Sequence, residues 1–274
     1  MSIAISPSRV ATAERIPYTT ADEAHNLLQT AFERFMRLIE SLDPQDWSKP
    51  TACTEWDVRA MVAHQAGGYA SGSSYREMIR QYSTIPKAGQ LPEDAINILQ
   101  LSERADKTPA ELIAELKLVG AKTIHNWAYG FRPIKWLAIP HPVGGFMSLG
   151  HLMWITHSRD TWMHRLDICR ATGRAFEQTP EHDGRINQLV VLDVAKKVNK
   201  KLAGRAISLN LSGIAGGTWT IGHGEPQAEL EMDVLDFNIF VSGRFSFDEA
   251  MQRAKISGDK NLIVSVLKNL LILY

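Results

Sequence analysis

Residues 150–174 read GHLMWITHSRDTWMHRLDICRATGR, and this stretch has the periodicity of one long helix. Ser148 is placed to cap the start of that helix, and Gly173 stands where a glycine is expected just past its end. The residues on its inward stripe are Leu149, Met153, Thr156, His157, Asp160, Met163, His164 and Asp167, and four of these eight, the two histidines and the two aspartates, are ionisable. The stretch therefore predicts a helix that turns charged and titratable side chains toward a core.

Asp160 and His164 are four residues apart, so a helix places them one above the other on the same face. Buried carboxylates and imidazoles are costly unless they are paired or bound to a metal. Two interpretations of this stretch remain open: a core histidine held by its neighbouring carboxylate, or two ligands of one ion.

Three further long helical patterns precede this one. Thr20 is available to cap the first, Thr54 with Asp57 resembles a capping box at the second, and Thr108-Pro109 is a typical start for the third. The three patterns cover residues 20–42, 54–70 and 108–129. Four long helices before residue 175 predict an antiparallel bundle, a fold that builds metal sites from facing helices.

The pattern changes after Lys201. The segments AISLNLSG, GTWTIGHG and QAELEMDV alternate at period two, and helical periodicity then returns in the last forty or so residues. The sequence predicts an α+β protein with three parts: an N-terminal arm (1–20), a helical bundle (21–202) that includes a helix from about Pro180 to Leu202, and a small α+β domain (203–274).

Composition restricts the function classes. Lysine plus arginine equals aspartate plus glutamate, 30 against 30, which argues against a nucleic-acid partner or an anionic membrane surface. No leader-like segment opens the chain, and the longest apolar run, Leu262 to Tyr274, is too short to span a bilayer. Only Cys53 and Cys169 are present, which favours a reducing compartment. We expect a soluble cytoplasmic protein.

A candidate metal site follows if the second and fourth helices face each other. His64, Asp160 and His164 would then supply two imidazoles and one carboxylate, leaving a fourth tetrahedral position open as in catalytic zinc sites. A lone histidine at position 64 is more often structural than a ligand, and what makes it a candidate is the second set of candidate ligands on the helix at 150–174. His157 lies about 10 Å along the helix axis from His164, too far to share an ion whose bonds are about 2 Å. His157 is better placed as a substrate group or as a structural residue.

Two motifs carry a resemblance to a known family. The segment PTACTEWDVRAMVAH (50–64) and the pattern D-x-x-x-H followed by RLDI (160–168) resemble those of mycothiol-dependent maleylpyruvate isomerases and their relatives. The resemblance covers essentially the whole chain. It implies a DinB-like four-helix bundle followed by a small domain similar to sterol-carrier-protein folds. It also places the family's metal ligands on His64, Asp160 and His164.

The sequence departs from the family pattern at two positions. The acidic ligand is commonly glutamate, so Asp160 has a shorter reach, and Gln65 stands where an apolar residue is usual. Neither departure changes the fold that the resemblance implies.

The resemblance implies an enzyme that uses a divalent metal, with zinc suited to these ligands, and a low-molecular-weight thiol such as mycothiol. Its substrate would be a small acidic or electrophilic molecule, changed by isomerisation or by thiol transfer. Arg165 and His157 are the candidate catalytic residues. The alternative is a non-enzymatic protein that binds an apolar ligand or regulates a partner, with a vestigial metal site. The oligomeric state is left open, with a homodimer among the options.

Overall fold

The computed structural model describes residues 11–130, 132–140, 146–268 and 270–272. They form two compact units, a helical unit (19–177) and a sheet unit (11–18 together with 178–272). In chain order the elements are β1 (Ala11–Thr12), α1 (Ala21–Glu40), α2 (Val58–Ser71), α3 (Tyr75–Tyr82), α4 (Pro92–Ser102), α5 (Pro109–Ala128), β2 (Ala138–Pro140), β3 (Phe146–Ser148), α6 (Leu149–His151), α7 (His157–Thr172), α8 (Asp183–Leu202), β4 (Ala206–Ser212), β5 (Gly217–Gly222), β6 (Pro226–Asp233), α9 (Val234–Val241), α10 (Phe247–Arg253), β7 (Lys255–Gly258) and α11 (Lys260–Leu267). The predicted α+β class is confirmed.

The helical unit is built on α1, α2, α5 and α7. Helices α1 and α2 each pack against both α5 and α7, which is the neighbour pattern of a four-helix bundle. Their apolar stripes meet in one core, to which the four helices contribute Leu28, Phe35, Ile39, Met61, Val62, Leu112, Leu116, Ile124 and Ile168. Burial of these faces, more than helix propensity, holds the helices in place.

Local capping chemistry fixes where the helices begin and end. The Thr20 hydroxyl accepts the Glu23 amide at 3.2 Å, and Thr108, the predicted cap of α5, forms a capping box with Glu111. Gly173 ends α7 with a φ of 73°, a left-handed conformation that suits glycine. The prediction for α2 was wrong in one detail, because Asp57 and not Thr54 is the cap and accepts the Ala60 amide at 2.7 Å.

A short hairpin precedes the last long helix of the bundle. Strands β2 and β3 pair antiparallel, and the residues that connect them, 141–145, lie outside the described part of the chain. The π-helical segment Leu152–Thr156 links α6 to α7, so residues 149–172 form the continuous helix that the sequence predicts. Ser148 caps its start by accepting the His151 amide at 3.0 Å, as predicted.

The sheet unit contains five strands in the order β1-β5-β4-β6-β7. Strand β4 is the centre: it pairs antiparallel with β5 and parallel with β6. Gly222, with a φ of 95°, lets the chain leave β5 and cross the start of β4, where a Cβ would collide with the Arg205 carbonyl oxygen. Strand β7, which pairs with β6, lies in a segment for which the sequence predicted only helix. Its four residues are too few to show a clear period of two.

The two compact units place the boundary at residue 177, whereas the sequence analysis placed it at 202. Helix α8 packs against β5, α9 and α11, because its apolar face covers the sheet. The N-terminal segment is also part of this unit: β1 pairs with β5, and the Glu14 carboxylate accepts the Gly222 amide at 2.8 Å. Residues 11–18 thus belong to the sheet unit, whereas the sequence predicted an N-terminal arm over residues 1–20. Among the described residues, no helix combines the length and apolarity needed to cross a membrane.

Candidate metal centre

Helix α2 positions the first predicted ligand. Asp57 fixes the start of the helix, and Val58, Met61 and Val62 are buried in the bundle core. His64 follows one turn after Ala60, on the side of α2 that packs against α7. Its side chain is only 12% exposed, so the imidazole is held between the two helices.

Helix α7 supplies the other two predicted ligands from adjacent turns. Asp160 and His164 lie on its inward face, where the carboxylate is 22% exposed and the imidazole 6%. The π-helical segment just before α7 shifts the register of the helix, and such segments are frequent next to functional sites. Nothing in the residue pattern of the chain indicated this segment.

The structure brings all three side chains together. His64 Nε2 lies 3.5 Å from one oxygen of Asp160, and His164 Nε2 lies 3.2 Å from the other. The ring centroids of the two histidines are 5.2 Å apart in an edge-to-face arrangement. One candidate ligand atom from each residue can be chosen so that all three lie within 4.8 Å of one another. The predicted convergence of these residues is observed.

These separations fit the donor arrangement of a small tetrahedral metal. Two ligands about 2.0–2.1 Å from a tetrahedral centre are about 3.3 Å apart, close to the two nitrogen–oxygen distances of the site. Two imidazoles and a carboxylate are a donor set that zinc accepts, and nickel, iron and manganese also use such ligands. The residues present therefore fit a divalent metal.

Gln65 and its neighbours form a hydrogen-bonded group that holds the Asp160 carboxylate in place. The Gln65 side chain is buried and donates its amide to Asp160 Oδ2, while its own carbonyl accepts the Thr161 hydroxyl at 2.9 Å. The Tyr69 hydroxyl lies 3.2 Å from the same Thr161 oxygen. Gln65 departs from the apolar residue usual in the family, and the structure gives it a specific partner. This role could not be predicted from the sequence, because nothing in the residues around Gln65 indicates that its side chain contacts Asp160.

Asp167 orients the second histidine. Its carboxylate, 1% exposed, lies 3.3 Å from His164 Nδ1. A hydrogen bond at Nδ1 favours the tautomer whose Nε2 is free to act as a ligand, and Nε2 is the atom that faces Asp160. Cys53, His164 and Asp167 also form a second group of candidate ligand atoms within 4.8 Å of one another. The sequence analysis did not bring Cys53 into the site.

Electrostatics keep Asp160 ionised. Burial alone raises the pKa of this carboxyl, but the imidazoles of His164 and His64 outweigh that effect and hold the pKa well below its ordinary value. Trp56 covers the same region, with its ring 4.8 Å from that of His64 and 5.9 Å from that of His164. The site is thus an anionic carboxylate between two imidazoles under an aromatic cover.

The two candidate catalytic residues occupy different surroundings. His157 stacks on Trp127 with 3.9 Å between ring centroids, and burial lowers its pKa to about 4. Its imidazole is therefore neutral near pH 7. Arg165 donates to the Glu177 carbonyl at 2.8 Å and lies over the Phe176 ring. Arg165 lines a cavity together with residues of α1, whereas the triad is formed with His64 of α2 and takes no part in that cavity.

Comparison with known proteins places the chain in a family. The family model of the mycothiol maleylpyruvate isomerase N-terminal domain matches residues 28–169. Crystal structures of the mycothiol-dependent maleylpyruvate isomerase and of a point mutant of it are each 14% identical to the chain. Each match covers 90% of this chain and 95% of the other, with a TM-score of 0.57, which supports a shared fold.

No curated protein sequence matches the chain significantly. The family match spans more than half of the chain and includes all three residues of the candidate metal centre. The chain belongs to the family of the mycothiol maleylpyruvate isomerase N-terminal domain.

Proposed function

We propose that the chain is a metal- and thiol-dependent enzyme of the isomerase or thiol-transferase type. The observation that carries this proposal is the convergence of His64, Asp160 and His164 on one point between α2 and α7. Family membership supports the choice of mycothiol as the thiol and of a small acid such as maleylpyruvate as the substrate.

His64 and His164 would hold the metal through Nε2 and Asp160 through a carboxylate oxygen. A divalent metal at this point would lower the pKa of a bound thiol, so that the thiolate is present at neutral pH. Gln65 would keep the Asp160 carboxylate in one orientation by donating its amide to Oδ2. Asp167 would do the same for His164 through Nδ1.

Trp56 and His157 would shape the surroundings of the bound molecules. The Trp56 ring covers both ligand histidines. Within the described part of the chain, His157 Nε2 and Thr156 Oγ1 are buried atoms without a hydrogen-bond partner. Buried polar atoms of this kind favour a bound polar ligand as the missing partner. A neutral His157 can accept or donate one hydrogen bond to such a ligand.

The test is thiol-dependent turnover by protein of measured metal content. Tag-free protein loaded with zinc is assayed for isomerisation of maleylpyruvate with and without mycothiol, followed by product chromatography. We expect turnover that needs both the metal and the thiol and that is lost in His64→Ala. His125→Ala, which removes an exposed histidine of α5, is the matched control and is expected to retain turnover.

The experiment also separates the alternative. A protein that takes up no metal, shows no thiol-dependent turnover and carries a bound lipid would instead support an apolar-ligand-binding or regulatory role. Metal uptake without turnover of maleylpyruvate would keep the metal site and discard this substrate.

A further inference from the structure

A second site is formed on the flank of α7 that faces α1, away from the metal centre. An open cavity of about 540 Å³ lies there, within the size range of small-molecule sites. Four arginines line it, Arg34 and Arg37 from α1, Arg165 from α7, and Arg174 from just beyond the end of α7. Arg34 and Arg165 are almost completely buried, at 7% and 2% exposure.

The chain's own carboxylate occupies this cluster. Glu177 Oε1 lies 3.3 Å from Arg34 Nε, and Glu177 Oε2 lies 3.1 Å from Arg37 Nη2. Arg165 fixes the same residue by donating to its backbone carbonyl at 2.8 Å. Two guanidinium groups that engage the two oxygens of one carboxylate are the arrangement with which arginines recognise planar oxyanions.

The Glu177 side chain is much more exposed than Arg34 and Arg165, two of the residues that hold it. Its side chain is 55% exposed, and that of Arg37 is 58% exposed. Exposed ion pairs contribute little to stability and exchange readily with solvent. Rotation of the Glu177 side chain into solvent would therefore free Arg34 and Arg37 to bind another anion, with no change in the buried core.

The chemistry of the cavity favours an oxyanion over a reactive electrophile. The Cys169 thiol also lines the cavity, but burial raises its pKa, against the opposing effect of Arg165 and Arg174. The thiol is therefore neutral and poorly nucleophilic at pH 7. Arg174 is additionally engaged by Asp46 at 2.7 Å and Asp43 at 3.2 Å, which fixes its position at the rim.

We propose that this cavity binds a small oxyanion, a carboxylate or a phosphate, which replaces the Glu177 side chain on Arg34 and Arg37. The site is independent of the metal centre. Glu177 acts as an internal competitor, so it lowers the affinity of the cavity for an external anion and sets the concentration at which the anion binds.

The test is calorimetric titration of the metal-free, full-length protein at constant ionic strength. Inorganic phosphate and malonate are titrated separately, which distinguishes the two sources of the oxyanion. We expect saturable binding of at least one of them. Glu177→Gln, which removes the competing charge, is expected to tighten binding about tenfold. Arg37→Gln is expected to weaken it about fivefold. Both positions are exposed, so the variants should keep the fold.

Two controls make the result specific. Arg76→Gln changes an exposed arginine of α3, outside the cavity, and is expected to leave the affinity unchanged. His64→Ala is expected to bind the anion as the wild type does, because His64 does not line the cavity. The variant is included because phosphate bound to residual metal would be lost in it. Absence of saturable binding, equal affinity in wild type and Glu177→Gln, or loss of binding in His64→Ala would each overturn the proposal.

Discussion

Gln65→Leu tests the contribution of the Gln65 side chain to the metal centre. The substitution removes the amide that Asp160 Oδ2 accepts and the carbonyl that accepts Thr161, while the side chain stays close in volume. A hydrogen bond to a charged group contributes about 1.5–3 kcal/mol. Because the Asp160 side chain is 22% exposed, water replaces part of that bond, and we expect a loss of about 1–2 kcal/mol in the metal-free protein.

The same change should weaken metal binding more than it weakens the fold. Groups that hold a metal ligand in place affect metal affinity by about 10- to 100-fold when they are removed. The loss of stability corresponds to a fall of about 2–8 °C in the Tm of the metal-free protein. Zinc affinity is measured by competition with a chromophoric chelator, and Tm by circular dichroism.

Gln81→Leu is the matched control for this measurement. Gln81 is a fully buried glutamine of α3 that donates to the Gly67 carbonyl at 3.1 Å, so its loss should lower Tm without changing zinc affinity. If Gln65→Leu lowered Tm like Gln81→Leu and left zinc affinity within about threefold of wild type, the role assigned to Gln65 would be refuted.

Three further outcomes are expected. The depressed pKa of Asp160 contributes stability that is fully present above the ordinary value of 3.8 and is lost as pH falls below it. Urea unfolding of metal-free protein between pH 3 and 7 should therefore show a smaller loss of unfolding free energy at acid pH in Asp160→Asn than in the wild type. The same dependence of unfolding free energy on pH in both proteins would contradict this. His157→Phe keeps an aromatic ring on Trp127, so zinc content should persist while thiol-dependent turnover falls at least tenfold; unchanged turnover would remove His157 from the site. A fragment of residues 19–177 should fold by itself, since this unit has its own core, and an unstructured fragment would show that the bundle depends on the sheet unit.

The bundle and the triad could be predicted from the sequence because their signals are local. Helical periodicity and caps such as Thr20, Thr108 and Gly173 are written in consecutive residues, and the i, i+4 spacing of Asp160 and His164 places them on one face. His64 was added to them by the expectation that two helices face each other and by the resemblance to the family.

What the sequence did not reveal depends on contacts between distant residues. The pairing of Gln65 with Asp160 and of Glu177 with Arg34 and Arg37 spans many residues along the chain, and no residue pattern indicates it. Helix α8 was assigned to the bundle because its periodicity cannot say which surface its apolar face covers. That face packs on the sheet.

Zinc content is the direct test of the proposal that His64, Asp160 and His164 hold one divalent metal. Tag-free wild type and Asp160→Ala are saturated with zinc, dialysed and measured by elemental mass spectrometry, with circular dichroism to verify the helical fold. Asp167 does not take the place of Asp160, because its carboxylate contacts His164 Nδ1, whereas Asp160 faces Nε2, the other ring nitrogen. We expect about one zinc per chain in the wild type and a helical, zinc-free variant. Equal zinc content in both proteins, or none in the wild type, would contradict it.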